Sequence, residues 1–213
     1  MVIGTLDLSA HPNPLGLTFA VLDEAYRYTL PADFRAEITE RLARVTAEAE
    51  WKKNGETVGA GSLQKAINAA TEGEADRVVL LSSIDNITVP YHIGKGSFTL
   101  DLAGKTLRAY QSSIFTVYPL DEQQVQITFT DSALGGGLLS IRDGSPWNCA
   151  PIEILGGNVE AVIDGGRYEG YYAVHFDSDG EQTSSLTVKG GEFHAAEDGV
   201  VLYTDGTTVV ELR

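Results

Sequence analysis

His175, Asp177 and Asp179 stand at alternate positions of the segment AVHFDSDG, residues 173–180. In an extended strand alternate side chains share a face, so Val174 and Phe176 point inward while His175 and Asp177 stand side by side outside, with Asp179 at the turn beyond. A histidine beside carboxylates can move protons or hold a metal ion. Arg142, on LLSIRDG, is the nearby basic candidate. A second polar group, His194, Glu197 and Asp198, falls in GGEFHAAEDG at 190–199, one repeat after Glu169. Aromatic side chains offer a different chemistry, because rings stack on sugar faces and anchor protein interfaces. Adjacent Tyr171 and Tyr172 cannot both face inward, Trp147 lies in the irregular stretch GSPWNCAP, and Tyr110, Tyr118 and Tyr203 are further candidates. The competing reading is that any solvated strand carries polar residues on its outer face.

The elements that position these residues are short strands. FTLDLAGKTLRAY, residues 98–110, alternates Phe98, Leu100 and Leu102 with polar partners and then bends at Ala103-Gly104. AVIDGGRYEG at 161–170 and LTVKGGEFHA at 186–195 match position by position, with Gly165 and Gly190 separated by 25 residues. LDLAGKTL and ITFTDSAL fill the same slot, with Leu107 and Leu134 where the later copies have Tyr168 and Phe193. Second strands follow in IFTVYPL, LLSIRDG, AVHFDSDG and VVLYTDG. Stacked as a parallel solenoid, the copies would lie about 4.8 Å apart, with Leu102, Phe129, Ile163 and Val188 in one internal column. Asp101, Asp131 and Asp164 precede the corners, where turning the backbone is a commoner task than binding calcium.

Ahead of the repeats, SLQKAINAATEGEADRVVLL predicts a Ser-capped amphipathic helix at 62–72, with Leu63, Ala66, Ile67 and Ala70 on one face, and then a buried strand. The expected division is an α+β segment over residues 1–58 and the solenoid with its capping helix over 59–213. In the first part PADFRAEITERLARV predicts a helix, and Asn54-Gly55 is the strongest hairpin signal in the chain.

With 15 Lys and Arg against 30 Asp and Glu, the net charge of −15 repels phosphate backbones and anionic membrane surfaces. Nucleic acid is therefore not an expected partner. The lone Cys149 forms no internal disulfide. No apolar run reaches the roughly 18 residues of a membrane span, and the first residues lack a secretory signal's basic start, so the expected location is the cytoplasm, or outside the cell if a signal has been removed.

On the quoted corners GGRY and GGEF and on SFTLDLAGKTL, the chain from about residue 60 to 213 resembles the right-handed parallel β-helix proteins of the pectate-lyase-like superfamily, in particular bacterial and phage-associated surface proteins. The resemblance implies an all-β solenoid of about five coils closed by a helical N-terminal cap. That superfamily contains lyases, hydrolases, adhesins and proteins of no known chemistry, so it implies no single activity. Its lyases use a basic side chain beside calcium, and its hydrolases use clustered aspartates. Here only Arg142 suits the first role, and no aspartate cluster supplies the second. The expected function is a non-catalytic binding or structural module with a glycan or protein partner and no cofactor, although calcium could join the carboxylates. A polysaccharide hydrolase or lyase is the alternative, and an acidic phage or mobile-element inhibitor of a basic host surface is a second. An open last coil would invite a second copy of the chain.

Overall fold

The computed structural model describes residues 47–120, 123–133, 136–141, 149–177, 184–204 and 209–212. By their contacts residues 47–213 form one compact unit and residues 1–46 another. The helix expected over 31–45 lies outside the described residues. The described part is mostly β, with one helix and a single large mixed sheet of 14 strands.

The sheet opens with an antiparallel hairpin of β1 (Ala49–Lys53) and β2 (Glu56–Gly61). Asn54 and Gly55 have φ of 53° and 85°, the two positive values that a tight primed turn requires. β1 also pairs antiparallel with β3 (Arg77–Leu80). Between them runs α1 (Leu63–Thr71), whose first turn is capped by Ser62 Oγ accepting from Lys65 N at 3.4 Å. Leu63, Ala66, Ile67 and Ala70 are buried, as their spacing predicts.

All other pairings are parallel and fall into three ladders. The first joins β3, β6 (Gly96–Asp101), β9 (Val125–Thr130), the start of β12 (Val159–Asp177), the start of β13 (Ser185–Thr204) and β14 (Val209–Leu212). The second joins β4 (Ile84–Ile87), β7 (Thr106–Ala109), β10 (Leu138–Ile141) and the middle of β12 and β13. The third joins β5 (Tyr91–Ile93), β8 (Phe115–Val117), β11 (Ile152–Leu155) and the ends of β12 and β13. The chain visits the ladders in the same cyclic order each time, and β12 and β13 each run through all three.

Inward side chains stack within each ladder. In the first, the register sets Val78, Leu100, Phe129, Ile163 and Val188 in line. Leu100 thus holds the place expected of Leu102. Leu102 lies one step past β6, where its N–H donates to Thr130 O at 2.8 Å, so its buried side chain fills the corner instead. In the second ladder Leu107, Leu139, Tyr168 and Phe193 are in line. Leu139 takes the slot expected of Leu134, which lies outside the described residues, because the corner after Asp131 is extended through Gly136 and Gly137. For the same reason LLSI lies beside Thr106–Ala109 and not beside IFTV. Leu100, Phe129, Ile163, Leu107, Leu139 and Tyr168 have no measurable exposure, and each such side chain contributes roughly 1.5–3 kcal/mol of burial.

Aspartates build the first corners. Asp101 Oδ1 accepts from Ala103 N within its own turn and from Ser132 N in the next copy, both at 2.9 Å, while Oδ2 accepts from Arg77 Nη2 at 2.6 Å. Asp131 Oδ1 accepts from Gly104 N at 2.8 Å, and its Oδ2 from Gly137 N at 2.8 Å and Gly136 N at 3.2 Å. Each carboxylate therefore ties its own turn to the neighbouring one. Burial pushes the Asp101 carboxyl upward, but the bonds from Arg77, Ser132 and Ala103 outweigh it and hold it below the usual range. Asp164, the third in the series, is exposed, and glycines with φ of 107° and 85° at 165 and 166 turn that corner instead. A Cβ on Gly166 would meet Leu102 Cδ1 at 2.9 Å.

Candidate functional site

The three ladders present three outer faces, and their polar side chains differ in how fully they are used. On the first, Ser97 Oγ donates to Gln126 Oε1 at 3.1 Å and Gln126 Nε2 donates to Glu160 Oε2 at 2.9 Å, a continuous ribbon beside a groove of about 370 Å³. On the second, Arg108 pairs with Asp85 at 3.2 Å and Arg167 with Glu169 at 2.5 Å. These groups satisfy one another.

The third face is different. Its register lines up His92, Thr116, Glu153, His175 and Tyr203, one from each successive strand, all between inward-facing residues such as Ile93, Val117, Ile154 and Phe176. Adjacent strands are about 4.8 Å apart, so the column spans about 19 Å. Glu153 makes no hydrogen bond or ion pair among the described residues. His175 Nε2 is buried without a partner among them. A buried polar atom left unpaired costs about 1–3 kcal/mol, which marks the position as one that a ligand or water would complete.

Rings gather at both ends of this column. At the upper end the Tyr172 and Tyr203 rings stack with centroids 4.8 Å apart, and His175 meets Tyr203 edge-on at 5.0 Å. His175 also lies 5.9 Å from Tyr172, and Tyr171 packs edge-on against Tyr172 at 4.9 Å. Tyr203 remains 41% exposed. At the lower end His92 lies 6.5 Å from Tyr118, which is 45% exposed and lies across Gly156, where a Cβ would meet its ring at 3.1 Å. Beyond His92 opens a cleft of about 440 Å³, floored by Leu120 and edged by Asn68, Lys95 and Gln123. Lys95 is paired with Glu72 at 2.8 Å. Beneath this end Tyr91 is half-buried, and burial, helped by the negative charge of Glu48, pushes its phenol up to about 12.

Of the residues singled out in the sequence, His175, Tyr171 and Tyr172 are brought together, with Asp177 two residues along on the same outer face. Arg142, Trp147 and Asp179 lie outside the described residues. His194 belongs to the second face, in register with Glu169 and 3.8 Å from Glu192. Glu197 is exposed in the stretch where β13 advances from Ala195 to Val200 while β12 advances only from Gly170 to Tyr172; the side chain of Asp198 lies outside the described part. That extra loop presses on Tyr171, whose carbonyl oxygen would meet a Cβ on Gly199 at 1.9 Å. His92 and Glu153 carry no local signal that singles them out in the sequence. Aligning the triplets YHI, FTV, IEI and VHF on their apolar flanks would have found both.

Among the described residues no group of three or more His, Cys, Asp or Glu is placed to hold a metal ion. No helix of the described part is long and apolar enough to cross a membrane. No protein family, curated protein or solved structure matches this chain. The functional reading therefore rests on the chain's own geometry.

Proposed function

We propose that the chain is a non-catalytic binding module built on a right-handed parallel β-helix, and that its third outer face holds an extended glycan. The cyclic visiting of three parallel ladders supports the helical path, and parallel strands joined by crossovers are right-handed in nearly all proteins. One observation carries the binding reading. Two clusters of rings, His92 with Tyr118 and His175 with Tyr172 and Tyr203, stand at opposite ends of a single straight column, with the unpaired Glu153 between them.

A glycan suits this layout for two reasons. The strand spacing of about 4.8 Å is close to the length of one sugar residue along an extended chain, so successive sugars meet successive strands. Sugars also need both apolar ring contacts and hydrogen bonds, and this face offers exposed tyrosine rings beside polar atoms that the protein leaves unsatisfied. The exposed rings stand on separate strands, Tyr118 just past β8 and Tyr203 on β13, which suits a ligand that extends along the face.

Titration of the full chain with neutral and charged oligosaccharides, followed by calorimetry, tests the reading. Tyr118→Ala and Tyr203→Ala, at opposite ends of the column, are each expected to weaken binding about fivefold, in line with about 1 kcal/mol for a ring contact. Full affinity in both variants would move the ligand off this face.

A further inference from the structure

Resting on the glycan reading, we infer that the ligand carries amino groups: the third face is built for a polymer of glucosamine-type sugars with free ammonium groups, in preference to a neutral or uronate polymer. The strand segments that make this face contribute Glu153 and Asp177 as their charged side chains, and no Lys or Arg. The other titratable groups facing the column are His92, His175, Tyr118, Tyr172 and Tyr203. Among the described residues, Lys95 in the lower cleft is already paired with Glu72.

Glu153 is the informative residue. It sits between Thr116 and His175 in the column, midway between the two ring clusters, and on the described surface it has no partner. Its counterparts on the other faces are not left so: Glu160 takes hydrogen bonds from Gln126 and Gln124, and Glu169 is paired with Arg167. A carboxylate held without a partner beside aromatic rings is the arrangement that recognises an ammonium group, through the ion pair and through attraction of the cation to the ring faces. The net charge of −15 adds a long-range bias in the same direction and opposes uronates.

Calorimetric titration with length-matched oligomers of glucosamine, N-acetylglucosamine and galacturonate, at about pH 6 where most of the sugar amines are protonated, decides the matter. The glucosamine oligomer is expected to bind about fivefold tighter than the N-acetylated one at low salt, as one exposed ion pair at Glu153 allows, with the advantage shrinking as added salt screens the charges. Glu153→Gln, checked for folding by its thermal unfolding, should cut the preference about threefold. Equal binding of the two amino-sugar oligomers, or tightest binding of galacturonate, overturns this inference and leaves the glycan reading standing. Failure of every oligomer to bind overturns both.

Discussion

Replacing Asp101 by Asn would test how the corners are held. The Asp101 side chain is almost fully buried and accepts from Ala103 N, Ser132 N and Arg77 Nη2 at 2.6–2.9 Å. Asparagine keeps the shape but offers one acceptor oxygen and turns an NH2 donor toward other donors. The Arg77 contribution is discounted, because that side chain is 42% exposed and solvent screens the pair. With its oxygen at the Oδ1 position asparagine still accepts from both backbone N–H groups but without the charge, a loss of about 1 kcal/mol for each bond, and its NH2 faces Arg77, giving about 1–3 kcal/mol in all. For a unit of this size that is a fall in Tm of about 3–10 °C by calorimetry. A carboxyl whose folded pKa lies below its unfolded value of about 3.9 stabilises the fold above that value and loses its contribution as pH falls through the folded pKa. Asp101→Asn should therefore flatten the acid limb of the stability curve. The internal control is Asp164→Asn at the exposed equivalent corner, expected within about 0.5 kcal/mol of wild type. Equal losses in the two variants, or an unchanged acid limb in the first, would refute the reasoning.

Two further outcomes follow from the packing. Gly166→Ala must place a Cβ at 2.9 Å from Leu102 Cδ1 with φ at 85°, and should cost about 1–3 kcal/mol in denaturant unfolding; wild-type stability would show that the corner is not so closely packed. Burial raises the phenols of Tyr168 and Tyr91, the latter to about 12, so both favour the fold fully below about pH 10 and lose that contribution as pH rises through their folded values. Ultraviolet titration should show two tyrosines ionising late, and uniform ionisation near 10 would contradict the burial.

Local sequence carries much of this structure. The Ser62 cap, the apolar face of α1, the Asn54-Gly55 turn and the apolar–polar alternation of the strands each depend on residues within a few positions of one another, and each is present. The register across corners was harder to read. Leu139 replaces Leu134 because the turn after Asp131 is longer than its counterparts, and no local pattern states how many residues a corner will absorb. The same alternation that places Leu100 also predicts Leu102 in the internal column, although the strand ends at Asp101 and the side chain turns into the corner.

The candidate face shows the same limit in sharper form. His92, Thr116, Glu153, His175 and Tyr203 are irregularly spaced in sequence and become regular only when the strands stack. Each is an ordinary polar residue on the outer side of a short strand, so nothing local separates it from solvated surface. What distinguishes the column is comparative. On the other two faces Glu160 is bonded to Gln126 and Glu169 is paired with Arg167, whereas this one leaves Glu153 without a partner among the described residues and His175 Nε2 buried without one. A fold that leaves His175 Nε2 buried and unsatisfied beside clustered rings is less stable there than it could be, and that cost is the physical ground on which binding at this face is proposed.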